Sequence, residues 1–477
     1  MTARTWMRTN VAAAASTGLA LRAFFVFCFP ASGSGDAPFY IELAWNWLKN
    51  GVYGVYTDGR LIPVDARVPG YPAFLAAIFS IAGKSPNAVL LAQAVVDLAA
   101  CFLIALIAAR LAPESSRRRV AIAGLWLAAL CPFTANYTAV VQTETLIIFL
   151  TSLALLLLME ALAGTSRTGA NGRSIPRLAF SPWFLTGIVV GLGTLVRPET
   201  PLLLAAAGLV LLLKCHKPAD WLRLARAVVL MGTGLLLPLL PWAARNWHTL
   251  HKAQFLAPRY AQLPSEVAPV GFDSWTHTWL WRFKDVYLTA WNLDVEKIPV
   301  DNVPRSAFDS SQERARIANL LNEYNGTLTL SSNEDRAFAE ISRERTARFP
   351  LRTFLKIPLL RSLAMWFTPR VDLLPSSSPV WPLRSEWRDD RQDLLITLFL
   401  FFVNCFYVAL ALAGAWIARG RPGWALLVVF IALRTLFFAG FADAPEPRYV
   451  LECFPAVIAL AAQVFGIGPQ LSRTGSG

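Results

Sequence analysis

The chain has 477 residues, 55% of them hydrophobic, with a formal net charge of +13 at pH 7 and a mean hydropathy of +0.46. Continuous apolar runs of about 20 residues, enough to span a hydrocarbon core of about 30 Å, recur along it. A soluble domain is excluded by these runs, and a β-barrel by their lack of alternation. The basic residues fall in short loops between the runs, as the positive-inside rule requires, so the charge is no sign of nucleic-acid binding.

In chain order, Arg4 and Arg8 precede an apolar run at 11–31, read as an uncleaved first span because no small-residue cleavage site follows. Further spans are expected at 86–109, 119–134, 142–162, 181–197, 200–213, 227–246, 392–417, 423–440 and 449–468. The short ones can cross inside a bundle or a thinned bilayer. Residues 70–83, "GYPAFLAAIFSIAG", are too short for a comfortable span and would invert every later loop; they read as an interfacial or re-entrant helix. The Trp- and Tyr-rich stretch 37–50 reads as a second interfacial helix. The fold class is an all-α polytopic integral membrane protein of about ten transmembrane helices, with outer interfacial helices and a mainly helical soluble region.

Three parts follow: 1–246 with a first outer loop at 32–85, an extracytoplasmic region at 247–390, and C-terminal spans at 391–477. In the middle part, Ser310–Glu313 and Ser331–Glu334 are capping-box patterns that start helices. Residues 348–367, "RFPLRTFLKIPLLRSLAMWF", mix basic and apolar residues and read as a surface-lying helix. Residues 373–382, "LLPSSSPVWP", read as a loop. The six cysteines show neither metal-ligand spacing nor a disulfide framework.

The alternation puts loops rich in Arg and Lys in the cytoplasm and gathers ionisable groups at the other face. Asp36 follows the first span. Arg67 stands in "RVPGYP", Glu144 in "QTETL", Arg197 in "VRPE" beside Glu199, Arg245 in "PWAARN" and Arg448 in "PEPRY". Ionisable groups at membrane depth are costly and usually functional. Arginines bind phosphate oxygens bidentately, and a carboxylate facing them can take a proton from an attacking hydroxyl. Together they suit glycosyl transfer from a lipid-linked sugar phosphate. Each has a plainer reading: Asp36 as the N-cap of the next helix, Glu144 as a cap, the arginines as interfacial anchors, and "RVPGYP" as a turn. His248 and His251, at i and i+3, read as structural rather than as metal ligands.

"GDAPFYIELAWNWLKNGVYG" followed by "RVPGYPAFLAAIFSIAG" resembles the opening of the GT-C class of glycosyltransferases, in the bacterial branch related to protein O-mannosyltransferases and lipid A aminoarabinose transferases. The remaining short motifs fall in that family's order. The resemblance implies an inverting hexosyl- or pentosyltransferase using a polyprenyl-phosphate-linked sugar. It further implies a bacterial inner membrane location, an active site facing the periplasm, and a lipid, glycan or protein acceptor in the cell envelope. It assigns Asp36 and Glu144 as catalytic acids, with Tyr40, Arg67, Tyr71, Arg197, Arg245 and Arg448 binding substrate. Some relatives carry an Asp–Glu pair in the first loop; here Ala37 follows Asp36, so the role rests on Asp36 alone. Some relatives hold a divalent metal, for which this sequence offers no clear ligand set. The competing readings are a transporter or flippase of lipid-linked glycans, for which Asp97 inside an apolar span is the best argument, and a non-catalytic scaffold.

Overall fold

The structure, a computed structural model, describes residues 3–31, 33, 35–167, 181–260, 267–368 and 383–467. The expected loop at 373–382 lies outside them. Helix α1 (Ala3–Cys28) carries the first apolar run, and α2 (Ala37–Asn50) is the aromatic helix that follows. A hairpin of β1 (Gly54–Thr57) and β2 (Arg60–Pro63) comes next, within the stretch expected only as an outer loop. Its turn residues Asp58 and Gly59 both have positive φ, 50° and 76°, the geometry of an Asp-Gly two-residue hairpin.

The bundle continues with α3 (Gly70–Ala82), α4 (Pro86–Leu111), α5 (Arg117–Ala129), α6 (Pro132–Asn136), α7 (Glu144–Arg167), α8 (Pro182–Thr194), α9 (Leu202–Leu212) and α10 (Pro218–Leu250). Seven of the described helices are long and apolar enough to cross a membrane, or eight if α5 and the segment Pro132–Ala139, bent by 45°, count as one span. Helices α8 and α9, of 13 and 11 residues, form the short hairpin that the sequence reading counted as two spans. They lie close against α10. A Cβ on Gly187 would come within 2.3 Å of the Met231 carbonyl, and one on Gly191 within 2.5 Å of that of Leu235. "GIVVG" is thus a small-residue stripe that lets two backbones touch.

Beyond α10, α11 (Val270–His277), α12 (Phe283–Leu288), α13 (Ser311–Thr327) and α14 (Ser332–Arg348) build a separate apolar core around Trp275, Trp279, Phe338 and Ile341. The Ser310 and Ser331 hydroxyls accept from the amides of Glu313 and Glu334, as the capping patterns required. The chain returns through α15 (Ile357–Phe367), α16 (Leu383–Asp389), α17 (Arg391–Ile417), α18 (Trp424–Phe441) and α19 (Phe454–Ala461).

Inside the bundle Asp97 of α4 pairs with Arg22 of α1, both fully buried. Arg22 also donates to the carbonyls of Gly18 (2.8 Å) and Ala129 (2.9 Å). The intramembrane acid is therefore matched by a cation that staples α1, α4 and α5, and the best argument for a transporter has a structural explanation.

Candidate active site

The loops at one end of the bundle are tied together by backbone. Ala31 donates to Ala139 (2.9 Å) in a parallel bridge with Val140, which brings the segment before Asp36 beside the segment before Glu144. Asp36 stands at the N-cap position of α2, but its side chain makes no capping bond. Its Oδ1 instead accepts from Arg67 Nη2 at 3.1 Å, with both side chains more than a third exposed (39% and 38%).

Arg67 owes its place to "RVPGYP". The Gly70 amide donates to the Leu195 carbonyl at 2.6 Å, and a Cβ there would come within 2.5 Å of that oxygen. The motif thus locks the start of α3 to the end of α8. Tyr71 is fully buried; its hydroxyl donates to Gln93 (2.7 Å), whose amide reaches the Val140 carbonyl (2.6 Å). Tyr40 packs edge-on against Tyr71, ring centroids 5.1 Å apart. Burial, then the Asp36 carboxylate, pushes the Tyr40 hydroxyl up to about 12, so it stays a neutral donor.

Glu144 begins α7 and is buried. Its Oε1 lies 3.3 Å from Arg197 Nη1 and 4.0 Å from Arg448 Nη1, while its Oε2 has no hydrogen-bond partner. Arg197, in the α8–α9 turn, also meets Glu199 (2.8 Å) and Glu452 (3.3 Å). From α18, Arg434 reaches the same two acids, Glu452 at 2.5 Å and Glu199 at 3.6 Å. Arg448 contacts Glu446 and donates to Gln142 (3.2 Å). Guanidiniums and carboxylates so interleaved are costly to desolvate but rigid once every member is matched.

One cavity of about 520 Å³ is lined by Asp36, Tyr40, Arg67, Glu144, Arg197 and Arg448, six of the eight residues expected from the sequence. Tyr71 supports Tyr40 from behind. Arg245 is elsewhere: its guanidinium donates to the carbonyls of Val64 (2.9 Å) and Tyr53 (2.8 Å) and lies over the Trp242 ring. It pins the β-hairpin loop to α10 and lines a neighbouring apolar cavity of about 620 Å³. Val196 lines both cavities.

Glu199, noticed in the sequence only as the neighbour of Arg197, and Arg259, Arg434, Tyr449 and Glu452, not singled out there, complete the site. Arg434 and Glu452 carried a legible signal: each is an ionisable residue within an apolar helical segment. Arg259 lines the cavity from the chain after α10 and is held by Asp443 at 2.9 Å. Among the described residues no three His, Cys, Asp or Glu converge, and each of the cavity carboxylates Asp36, Glu144 and Glu199 faces an arginine.

Residues 66–244 match the family model described as dolichyl-phosphate-mannose-protein mannosyltransferase. Among solved structures, an archaeal oligosaccharyltransferase AglB from Archaeoglobus fulgidus, in complex with an inhibitory peptide and a dolichol-phosphate, aligns over 97% of this chain and 50% of its own. Its TM-score is 0.51 at 15% identity. An Archaeoglobus fulgidus oligosaccharyltransferase tethered to an acceptor peptide aligns over 97% of this chain and 49% of its own, with a TM-score of 0.50 at 14% identity. ArnT from Cupriavidus metallidurans aligns over 98% of this chain and 77% of its own, at a TM-score of 0.37 and 14% identity. The chain spans about half the length of the oligosaccharyltransferase it matches. Comparison with curated proteins gives no match. The fold is of the GT-C class, a multi-pass helical bundle, as the first-loop motifs implied.

Proposed function

We propose that the chain is an inverting glycosyltransferase that moves a sugar from a polyprenyl-phosphate donor to an acceptor hydroxyl or comparable nucleophile at the cavity end of the bundle. One observation carries the reading: a partly exposed, uncapped Asp36 shares a cavity with half-buried Arg197 and Arg448, and that cavity adjoins an apolar one along Val196. The matched family model and the dolichol-phosphate in the AglB complex support a polyprenyl-phosphate donor.

In this reading the apolar cavity takes the first isoprene units, and the arginines face the phosphate. Asp36 accepts the proton of the acceptor as its oxygen attacks the anomeric carbon. The carbon–oxygen bond to phosphate breaks on the opposite side, and the phosphate leaves with the electron pair, its developing charge held by guanidinium groups. A single displacement inverts the anomeric centre. Glu144 Oε1 orients Arg197, and the uncommitted Oε2 accepts a hydrogen bond from the incoming acceptor.

Basic residues at the far ends of the cavity-building helices support a cytoplasmic side there, as where Arg421 meets Gln463 (3.1 Å). The cavity then faces the periplasm of a bacterial inner membrane, and residues 247–390 form the extracytoplasmic region over it. The test supplies purified full-length protein with a panel of labelled polyprenyl-phosphate hexoses and pentoses and measures release of polyprenyl phosphate. A transferase releases it and Asp36→Asn does not; lipid movement across the bilayer without release would instead make the chain a flippase.

A further inference from the structure

The return segment from α14 to the bundle carries side chains in three stripes. Ile357, Arg361 and Met365 are buried at 5%, 1% and 1% exposure. Met365 packs with Phe438, Ala439 and Val450, and Arg361 donates to the carbonyls of Leu280 and Ala442, both at 2.8 Å. Two residues away on each turn, on the opposite side of the helix, Leu351, Leu355, Leu359 and Leu363 are exposed at 75%, 63%, 60% and 49%. The helix is therefore apolar on two faces and packed on only one.

The spacing of four is sustained by a local irregularity. At about 100° per residue, positions four apart drift by about 40° each step on an α-helix. Residues Arg352–Lys356 form a π turn, whose wider loop takes back part of that drift and holds the leucines in line. Arg348, Arg352 and Lys356 follow the same spacing one position along and border the leucine stripe. No Asp or Glu stands between Arg345 and Thr368. Asp309 and Glu313 approach this surface, but they serve Arg345, Arg348 and Arg352 together, Arg348 only at 3.7 Å. Lys356 is exposed and has no acidic partner among the described residues. A groove of about 720 Å³ runs between these bases and leucines.

We infer that this groove is a binding site for an anionic phospholipid of the leaflet at the cavity end of the bundle, the acyl chain along the leucine stripe and the phosphate between Arg348 and Lys356. Two observations select lipid over protein. The leucine stripe is carried by a helix that packs on α18, whose own outward residues Leu436 and Phe441 are exposed at 66% and 63%, so the apolar surface runs on toward the spanning face. Four bases against two acids favour a phosphate-bearing headgroup.

The test reconstitutes full-length protein into nanodiscs of equimolar phosphatidylglycerol and phosphatidylcholine, then counts retained lipids by native mass spectrometry. Wild type should retain phosphatidylglycerol over phosphatidylcholine by on the order of tenfold. Arg348→Gln with Lys356→Gln should abolish that preference, and the charge-keeping exchange Arg348→Lys with Lys356→Arg should preserve it. Leu355→Gln with Leu359→Gln should lower retention of both lipids. All of these positions are exposed or at the groove edge, and thermal midpoints near wild type will show that the fold is intact. Equal retention of both lipids by wild type, an undiminished preference in the double Gln variant, or a dimer covering the leucine stripe would each overturn the assignment.

Discussion

Arg67 Nη2 lies 3.1 Å from Asp36 Oδ1, in an ion pair whose two side chains are each more than a third exposed. This contact takes the place of the capping bond expected of a residue at the start of α2. An exposed pair contributes about 0–1 kcal/mol, so it holds Asp36 without contributing much to the fold. Asp36→Asn is therefore expected to keep its thermal midpoint and lose about 10²–10⁴ in single-turnover rate, the usual loss for a general base. Turnover within a few-fold of wild type would remove Asp36 from the chemistry.

The Arg197 cluster should behave oppositely in stability. Arg434→Met leaves Glu199 and Glu452 to one guanidinium and should cost about 3–5 kcal/mol, the price of orphaning a buried charge. Adding Glu452→Met removes the excess carboxylate and should recover most of the loss. Chemical denaturation of the two single variants and the double variant measures the coupling.

The two outer arginines from the sequence motifs should separate by kinetics. Arg448 lines the polar cavity, so Arg448→Lys, which keeps charge but loses the planar fork, should raise the donor KM. Arg245 spends its donors on the Val64 and Tyr53 carbonyls, so Arg245→Lys should lower the thermal midpoint and leave the donor KM unchanged. A raised KM in Arg245→Lys would place it with Arg448.

In the helical region beyond α10, two groups give opposing pH dependences. Burial, with Asp443 and Asp335 nearby, pushes Asp273 up to about 7. Its contribution is full below the ordinary carboxylate range and is lost as pH rises toward about 7. Burial, with Arg361 nearby, pushes His277 down to about 4, so its contribution is full above the ordinary imidazole range and is lost as pH falls toward about 4. Asp273→Asn should remove the decline toward neutral pH, and His277→Gln the decline toward acid. Thermal midpoints from pH 4 to 8 will resolve the two; a profile for Asp273→Asn parallel to wild type would show that Asp273 is ionised in the fold.

The side of the membrane can be read with an impermeant thiol reagent in a cysteine-free background. Asn322→Cys, exposed on α13, should label in intact spheroplasts, and Arg117→Cys, exposed at the start of α5, should not. The reverse pattern would turn the cavity toward the cytoplasm.

Much of this protein was legible in its sequence because a bilayer leaves few choices. Apolar length marks the long helices, and six of eight expected site residues meet in one cavity because loops between spans can only gather at the bundle's ends. The Asp58-Gly59 hairpin falls in the stretch read only as an outer loop, although a two-residue Asp-Gly loop between short apolar stretches is a hairpin signal.

Tertiary structure alone decided which charges answer one another. Arg245 and Arg448 each stand in a short motif at the edge of an apolar segment, yet one grips backbone and the other faces the cavity, because that depends on which loop packs beside each. Arg434 and Glu452 lie 18 positions apart, and both meet Glu199 or Arg197, far off in sequence. Desolvation makes such pairing obligatory wherever an ionisable group lies in an apolar helix, and the partner is set by which helices pack side by side.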